Sequence, residues 1–154
     1  MTRAVPAPTS GTRPGAGHGY CLDLDSKLVA DAIAGLGKDS NGGDWNPQGA
    51  SEQPLKNGCG LDFVRVLGSG VHDATVESRV LLFADGRFLG TVEPKPYSYT
   101  TIDGHTKNSV TVSYRWLRKD DAFAAPTGGP TKVTVTWDGQ RLHRAGSFPP
   151  ASGR

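Results

Sequence analysis

The chain has 154 residues, 21% of them charged, and a formal net charge of +2. That length fits one domain, and the balance lacks the concentrated basic face that nucleic-acid binding needs. The nearest candidate, Arg115, Arg118 and Lys119, runs at once into Asp120 and Asp121. No run of apolar residues approaches the ~18 that a transmembrane helix requires, and residues 1–19 lack the apolar core of a signal peptide.

Residues 1–19 interleave Pro6, Pro8 and Pro14 with Thr, Ser, Gly and Ala. Such a composition buries too little apolar area to offset its ordering entropy, so a flexible tether is expected there. A single folded domain is expected over 20–149, followed by a disordered tail at 150–154. The first element is a helix over 26–36: Leu28, Val29, Ala32, Ile33 and Leu36 recur at helical spacing. Asp25 or Ser26 serves as N-cap, and Gly37 suits the left-handed position beyond the last turn. Residues 38–58 read as a long loop, which in a compact domain is either functional or pinned. Trp45 there has two readings: a plug for the open side of the core, or a surface aromatic that stacks on a ligand.

Residues 61–67 form the first strand, and Gly68-Ser69-Gly70 breaks it. Next come two apolar runs, 80–83 and 88–92, around Asp85-Gly86. Asp-Gly between apolar runs predicts a hairpin, because its tight turn needs positive φ at both central residues. The 80–83 run does not alternate, so both of its faces are covered and it is a central strand. Gly90 marks a bulge or a close approach in the return strand.

Pro94 and Pro96 exclude a central strand over 93–100, and an extended backbone there sends Tyr97 and Tyr99 to the same side. Asp103-Gly104 reads as a turn. Residues 109–117 alternate cleanly, with Val110, Val112, Tyr114 and Trp116 on the core face and Arg115 in water. Residues 131–137 alternate again, and Asp138-Gly139 signals a second hairpin. The expected fold is therefore α+β: a curved antiparallel meander of about five or six strands with one N-terminal helix packed on it.

Chemistry is sparse. Cys21 and Cys59 sit in loop-like contexts, which suits one disulfide and an oxidising compartment; two unrelated buried thiols are the alternative. The two cysteines and His18, His72, His105 and His143 lack the spacing of a metal site. Gly68-Ser69-Gly70 lacks the strand–turn–helix context of a nucleophile elbow, and the Gly-rich stretches lack the lysine of a phosphate loop. No catalytic, cofactor or metal residue is assigned, and no cofactor is expected. The aromatic residues are more informative: Trp45, Tyr97 and Tyr99 are candidates for a shallow surface that takes a sugar, a peptide, a lipid or a protein partner.

The segments Cys59-Gly60-Leu61-Asp62-Phe63-Val64-Arg65-Val66, Val80 to Thr91, Pro96-Tyr97 and Val110 to Trp116 occur in an order that resembles the LppP/LprE-type lipoproteins of actinobacteria. An upstream Cys and helix, a Trp before the second Cys, and a V-T-V-x-W strand ending at Asp-Gly extend the likeness over about residues 20–149. The resemblance implies an exported protein, in many members lipid-modified at an N-terminal cysteine, with no established activity and no catalytic residues to carry over. This chain departs at its start, since Cys21 follows Gly19-Tyr20 with no apolar run. The lipid anchor, its one expected link to a membrane, is therefore expected to be absent from this chain. The expected role is a non-catalytic cell-envelope domain on the outer face of the cytoplasmic membrane, binding an unidentified envelope protein or small ligand. Two alternatives are an envelope hydrolase assembled from His72, His105 and Asp121, and a secreted structural or inhibitor-like protein acting through the loops around Trp45.

Overall fold

The alternation in two late strands and the unbroken apolar run 80–83 together demand two buried faces, and the chain supplies them in three layers. The computed structural model describes residues 14–150; the first part of the expected tether, 1–13, and the tail from 151 lie outside the described residues. Among the described residues one α-helix, a single 3-10 turn (Leu55–Asn57) and nine strands are formed. The first sheet runs β1 (Trp45–Ala50), β2 (Asp62–Gly68), β3 (Glu77–Ala84) and β4 (Arg87–Thr91), with the short β5 (Tyr97–Ser98) pairing the start of β3. The second runs β6 (Thr100–Thr106), β7 (Ser109–Trp116), β8 (Gly128–Trp137) and β9 (Leu142–Gly146), and every pairing is antiparallel.

Strand β3 shows why its sequence does not alternate. Val80, Leu82 and Ala84 join Phe63 against Val110, Val112, Tyr114, Val133, Val135 and Trp137 of the second sheet. Leu81 and Phe83 point the other way, with Val64 and Val66, onto Val29 and Ala32 of helix α1 (Lys27–Ala34) and onto Leu22 and Trp45. Burying four such side chains completely is worth roughly 1.5–3 kcal/mol each before entropy is charged. The fold is α+β with the helix packed on a sheet. It differs from the expected meander in dividing its strands between two stacked sheets.

Local rules account for most boundaries. Ser26 caps α1 by accepting from the Val29 amide at 3.3 Å. The helix stops at Ala34, and Gly37 takes positive φ (+77°) just beyond the closing turn. Asp85 (φ +53°) and Gly86 (φ +72°) make the predicted hairpin turn. The β3–β4 register shifts between Leu82 and Phe83, opposite Gly90 (φ +109°).

Three expectations are corrected. Residues 45–50, expected as loop, form β1. Pro47 and Gly49 hide it in sequence, yet both are tolerated because β1 is an edge strand with a register shift between them. Asp103-Gly104 is not a turn: β6 continues through it with a register shift, and the chain reverses at Lys107-Asn108, between the paired Thr106 and Ser109. Strand β8 starts earlier than expected, at Gly128. There the half-buried Trp116 covers the backbone so closely that a Cβ on Gly128 would strike its indole.

Cys21 and Cys59 form a disulfide with Cα atoms 5.8 Å apart, tying the segment before α1 to the residues before β2. Residues 14–20 pack on the fold as well. The Asp23 amide donates to the Gly15 carbonyl at 2.6 Å, and Gly17 and Tyr20 exchange amide–carbonyl bonds.

Candidate functional site

A groove of about 480 Å³ opens where the 38–44 loop faces the residues around β5. One wall is the loop, and a single carboxylate shapes it. Asp39 is buried and accepts from the amides of Asn41 and Gly43 with one oxygen and from Gly70 with the other, all at 2.8 Å. Burial alone would raise its pKa, but the amides of Gly43, Gly70 and Asn41 outweigh that and hold it below the ordinary carboxylate value. The site needs glycine partners, because a Cβ at Gly68 or Gly70 would run into the Asp39 side chain. Glu77, at the start of β3, accepts from the Ser40 amide at 2.9 Å and fixes the loop to the first sheet.

The opposite wall runs from Lys95 to Tyr99. Tyr97 is half-buried, edge-on to Tyr114 at 5.3 Å and stacked on Phe148 at 6.1 Å, with the Lys95 ammonium 5.5 Å above its ring. Tyr99 does not continue the extended course: its φ is +57°. That turn breaks the alternation expected to put Tyr97 and Tyr99 on one side. Both still line the groove, Tyr99 with its hydroxyl donating to the Phe123 carbonyl at 2.6 Å. Phe123 is 60% exposed and completes the rim together with Leu117.

Trp45 lies elsewhere. It is buried at the start of β1, in the apolar layer beneath α1. It borders a second cavity, of about 570 Å³, with Leu24, Val29 and Ile33. Its Nε1 is buried without a hydrogen-bond partner. The structure therefore joins Tyr97 and Tyr99 to the long loop through Ser40 and Asn41, and it places Trp45 in the core.

Two of the three residues of the hydrolase alternative, His105 and Asp121, are engaged locally. His72 is exposed in the β2–β3 loop. The His105 ring packs edge-on against Phe63 at 5.3 Å. Asp121 accepts from the amides of Arg118 and Thr127 at 2.7 and 2.8 Å, which hold its pKa down. The group of potential metal ligands found among the described residues is a different one: His18, Asp23 and Asp25, at the surface, with His18 Nδ1 2.9 Å from Asp23 Oδ2.

Sequence reasoning missed Asp39, Phe123 and Glu93. The signal for Asp39 was a carboxylate in a Gly-rich turn facing Gly68-Ser69-Gly70. For Glu93, between Val92 and Pro94, there was none. It is fully buried, accepting from the Val80 amide at 2.7 Å, with the Tyr114 hydroxyl at 3.5 Å and Arg79 Nε at 3.6 Å. Burial pushes its carboxyl up to about 7, against the pull of the Val80 amide and Arg79. Burial also raises Tyr114, and the Glu93 charge adds to it. Arg144 closes this end of the core by donating to the carbonyls of Val92 and Thr91 at 3.0 and 2.7 Å.

These features define a small disulfide-stapled α+β domain with a groove built from a carboxylate-pinned loop and an aromatic edge. The family model described as LppP/LprE lipoprotein matches residues 56–140, more than half of the chain. The chain belongs to the LppP/LprE lipoprotein family, a family of envelope lipoproteins of unknown role. Comparison with curated proteins and with solved structures returned no match. The matched span runs from the residues before β2 through β8. It includes Glu77, Tyr97, Tyr99 and Phe123 of the groove, while Ser40, Asn41 and the Cys21 half of the disulfide fall outside it.

Proposed function

We propose that the chain is the exported, non-catalytic domain of an envelope lipoprotein, held at the outer face of the cytoplasmic membrane, and that it binds an envelope ligand or partner in the groove between the 38–44 loop and Tyr97–Tyr99. The observation that carries this reading is the way the groove is built. Both walls are fixed by buried or half-buried groups, Asp39 on one side and Tyr97 on the other, while the exposed Phe123 ring stands at the rim. A preformed cleft of this size with a few polar groups among aromatic side chains is the usual form of a ligand site. The disulfide supports an oxidising compartment. The catalytic alternative lacks support because His105 packs on Phe63 and Asp121 is held by the amides of its own loop, while His72 is exposed.

The test is retention of the purified chain on isolated envelope fractions, compared with Phe123→Ala and Tyr99→Ser. Phe123 is exposed, so its replacement leaves the fold intact, which circular dichroism checks. Reduced retention of both variants supports the groove, and unchanged retention of both removes it.

A further inference from the structure

We propose that the groove's ligand is a saccharide, an inference that rests on the binding role proposed above and names its chemical class. Three observations lead there. First, the main-chain groups an extended peptide would use are already taken. Tyr97 and Ser98 pair with Ser78 and Glu77 of β3, and the Tyr97 carbonyl also lies near the hydroxyls of Ser78 and Thr100, at 3.4 and 3.3 Å. The Tyr99 carbonyl accepts from the Arg115 amide at 3.1 Å. On the loop wall, the amides of Ser40, Asn41 and Gly43 are bound by the carboxylates of Glu77 and Asp39. Strand addition works by pairing a peptide's backbone with a free edge, and this edge offers little of one.

Second, polar residues interrupt the apolar lining that an acyl chain would need. Ser40, Asn41, Glu77 and Lys95 line the cleft among its aromatic and apolar residues. Burying an alkyl chain against them would strip water from groups that it cannot hydrogen-bond.

Third, what remains for a ligand is a set of side chains of two kinds. Tyr99 and Phe123 offer flat apolar surfaces at the rim. Asn41 is exposed, with no hydrogen bond on its side-chain amide among the described residues, and it supplies a donor and an acceptor side by side. Glu77 uses one oxygen on Ser40 and keeps the other. Lys95 is exposed and supplies donors. A pyranose ring matches this division: its C–H face lies against an aromatic plane while its rim hydroxyls both donate and accept. The cleft falls within the ~300–1,000 Å³ typical of small-molecule sites.

The experiment is an amide-resolved NMR titration of the full chain with chitotetraose and with cellotetraose at millimolar concentration, beside tetra-alanine and lauric acid. Shifts confined to Asn41, Ser98, Tyr99 and Phe123 on adding either oligosaccharide, weakened roughly tenfold by Phe123→Ala and also weakened by Asn41→Ala, support the assignment. No groove shift with either oligosaccharide overturns it, as do groove shifts produced by the peptide or the fatty acid alone. The envelope-retention assay separates the two levels. If the oligosaccharides leave the groove unmoved but Phe123→Ala still lowers retention, the groove stands as a binding site and its saccharide class falls. If retention is also unchanged, both fall.

Discussion

Replacing Glu93 by Gln tests the cost of a carboxyl buried in the core. Glu93 has no exposed side-chain surface, and its carboxyl is raised from 4.5 to about 7. Below pH 4.5 both the folded and the unfolded chain hold its proton. Between 4.5 and about 7 the folded chain keeps the proton that the unfolded chain has released, so stability falls as pH rises. Above about 7 the folded chain carries the full cost of a buried carboxylate. At ~1.4 kcal/mol per pKa unit, that cost is roughly 3 kcal/mol. Glu93→Gln keeps an oxygen for the Val80 amide and cannot ionise. Arg79 loses its charged neighbour but still donates to Thr91 Oγ1 and the Glu93 carbonyl, at 2.8 and 3.0 Å. The substitution therefore offsets the stability curve without giving it a slope. Urea unfolding of both proteins across pH 4.5 to above 7 measures the difference. The wild type is expected to lose roughly 3 kcal/mol relative to the variant over that span. Parallel profiles would refute the burial argument.

Three other substitutions or treatments test separate parts of the structure. Asp39→Ala removes the acceptor for three loop amides and should lower the unfolding free energy by about 3 kcal/mol in urea, while also reducing envelope retention although every rim side chain remains. Trp45→Phe deletes a buried N–H that has no partner, so it should change stability by less than ~1 kcal/mol, whereas Trp45→Ala opens a cavity and should cost about 3–5 kcal/mol by the same assay. Reducing the Cys21–Cys59 bond frees a loop with a sequence separation of 38 and should lower stability by about 4 kcal/mol, read as a drop in the denaturation midpoint with thiol reagent present.

The parts of the fold that were legible in the sequence are those where one strand reports its own environment. The unbroken run Val80 to Phe83 could only be a strand covered on both faces, and it is. Asp85-Gly86 announced its turn through the two residues that tolerate positive φ. The alternation of Val110, Val112 and Tyr114, and of Val133, Val135 and Trp137, marked one buried face on each strand. Alternation says that a face is covered and is silent about what covers it. A single curled meander and two stacked sheets therefore look the same strand by strand. The crossing from one sheet to the other falls at Tyr99 (φ +57°), between β5 and β6, in the stretch after Pro94 and Pro96 that reads only as a non-central segment. Strand β1 was illegible for a related reason: its pairing with β2 holds it, with Trp45 its one buried anchor.

The groove was half legible. Tyr97 and Tyr99 stand out beside Pro94 and Pro96, and the length of the 38–58 loop marks it as pinned or functional. Which loop residues meet that edge depends on Asp39 reaching Gly70 and on Glu77 reaching Ser40, contacts between residues more than 30 positions apart. Trp45 is the large aromatic of residues 38–58, and it packs in the core under α1. Glu93 shows the same limit, since three of its partners come from β3 and β7.

The account rests most directly on export to the cell envelope. Thiol alkylation of the protein taken from its native host, under denaturing conditions with and without prior reduction, measures this. The account predicts no alkylation of Cys21 or Cys59 before reduction and alkylation of both after it. Two reactive thiols in the unreduced sample would contradict the exported reading and, with it, the assignment of the groove to an envelope ligand.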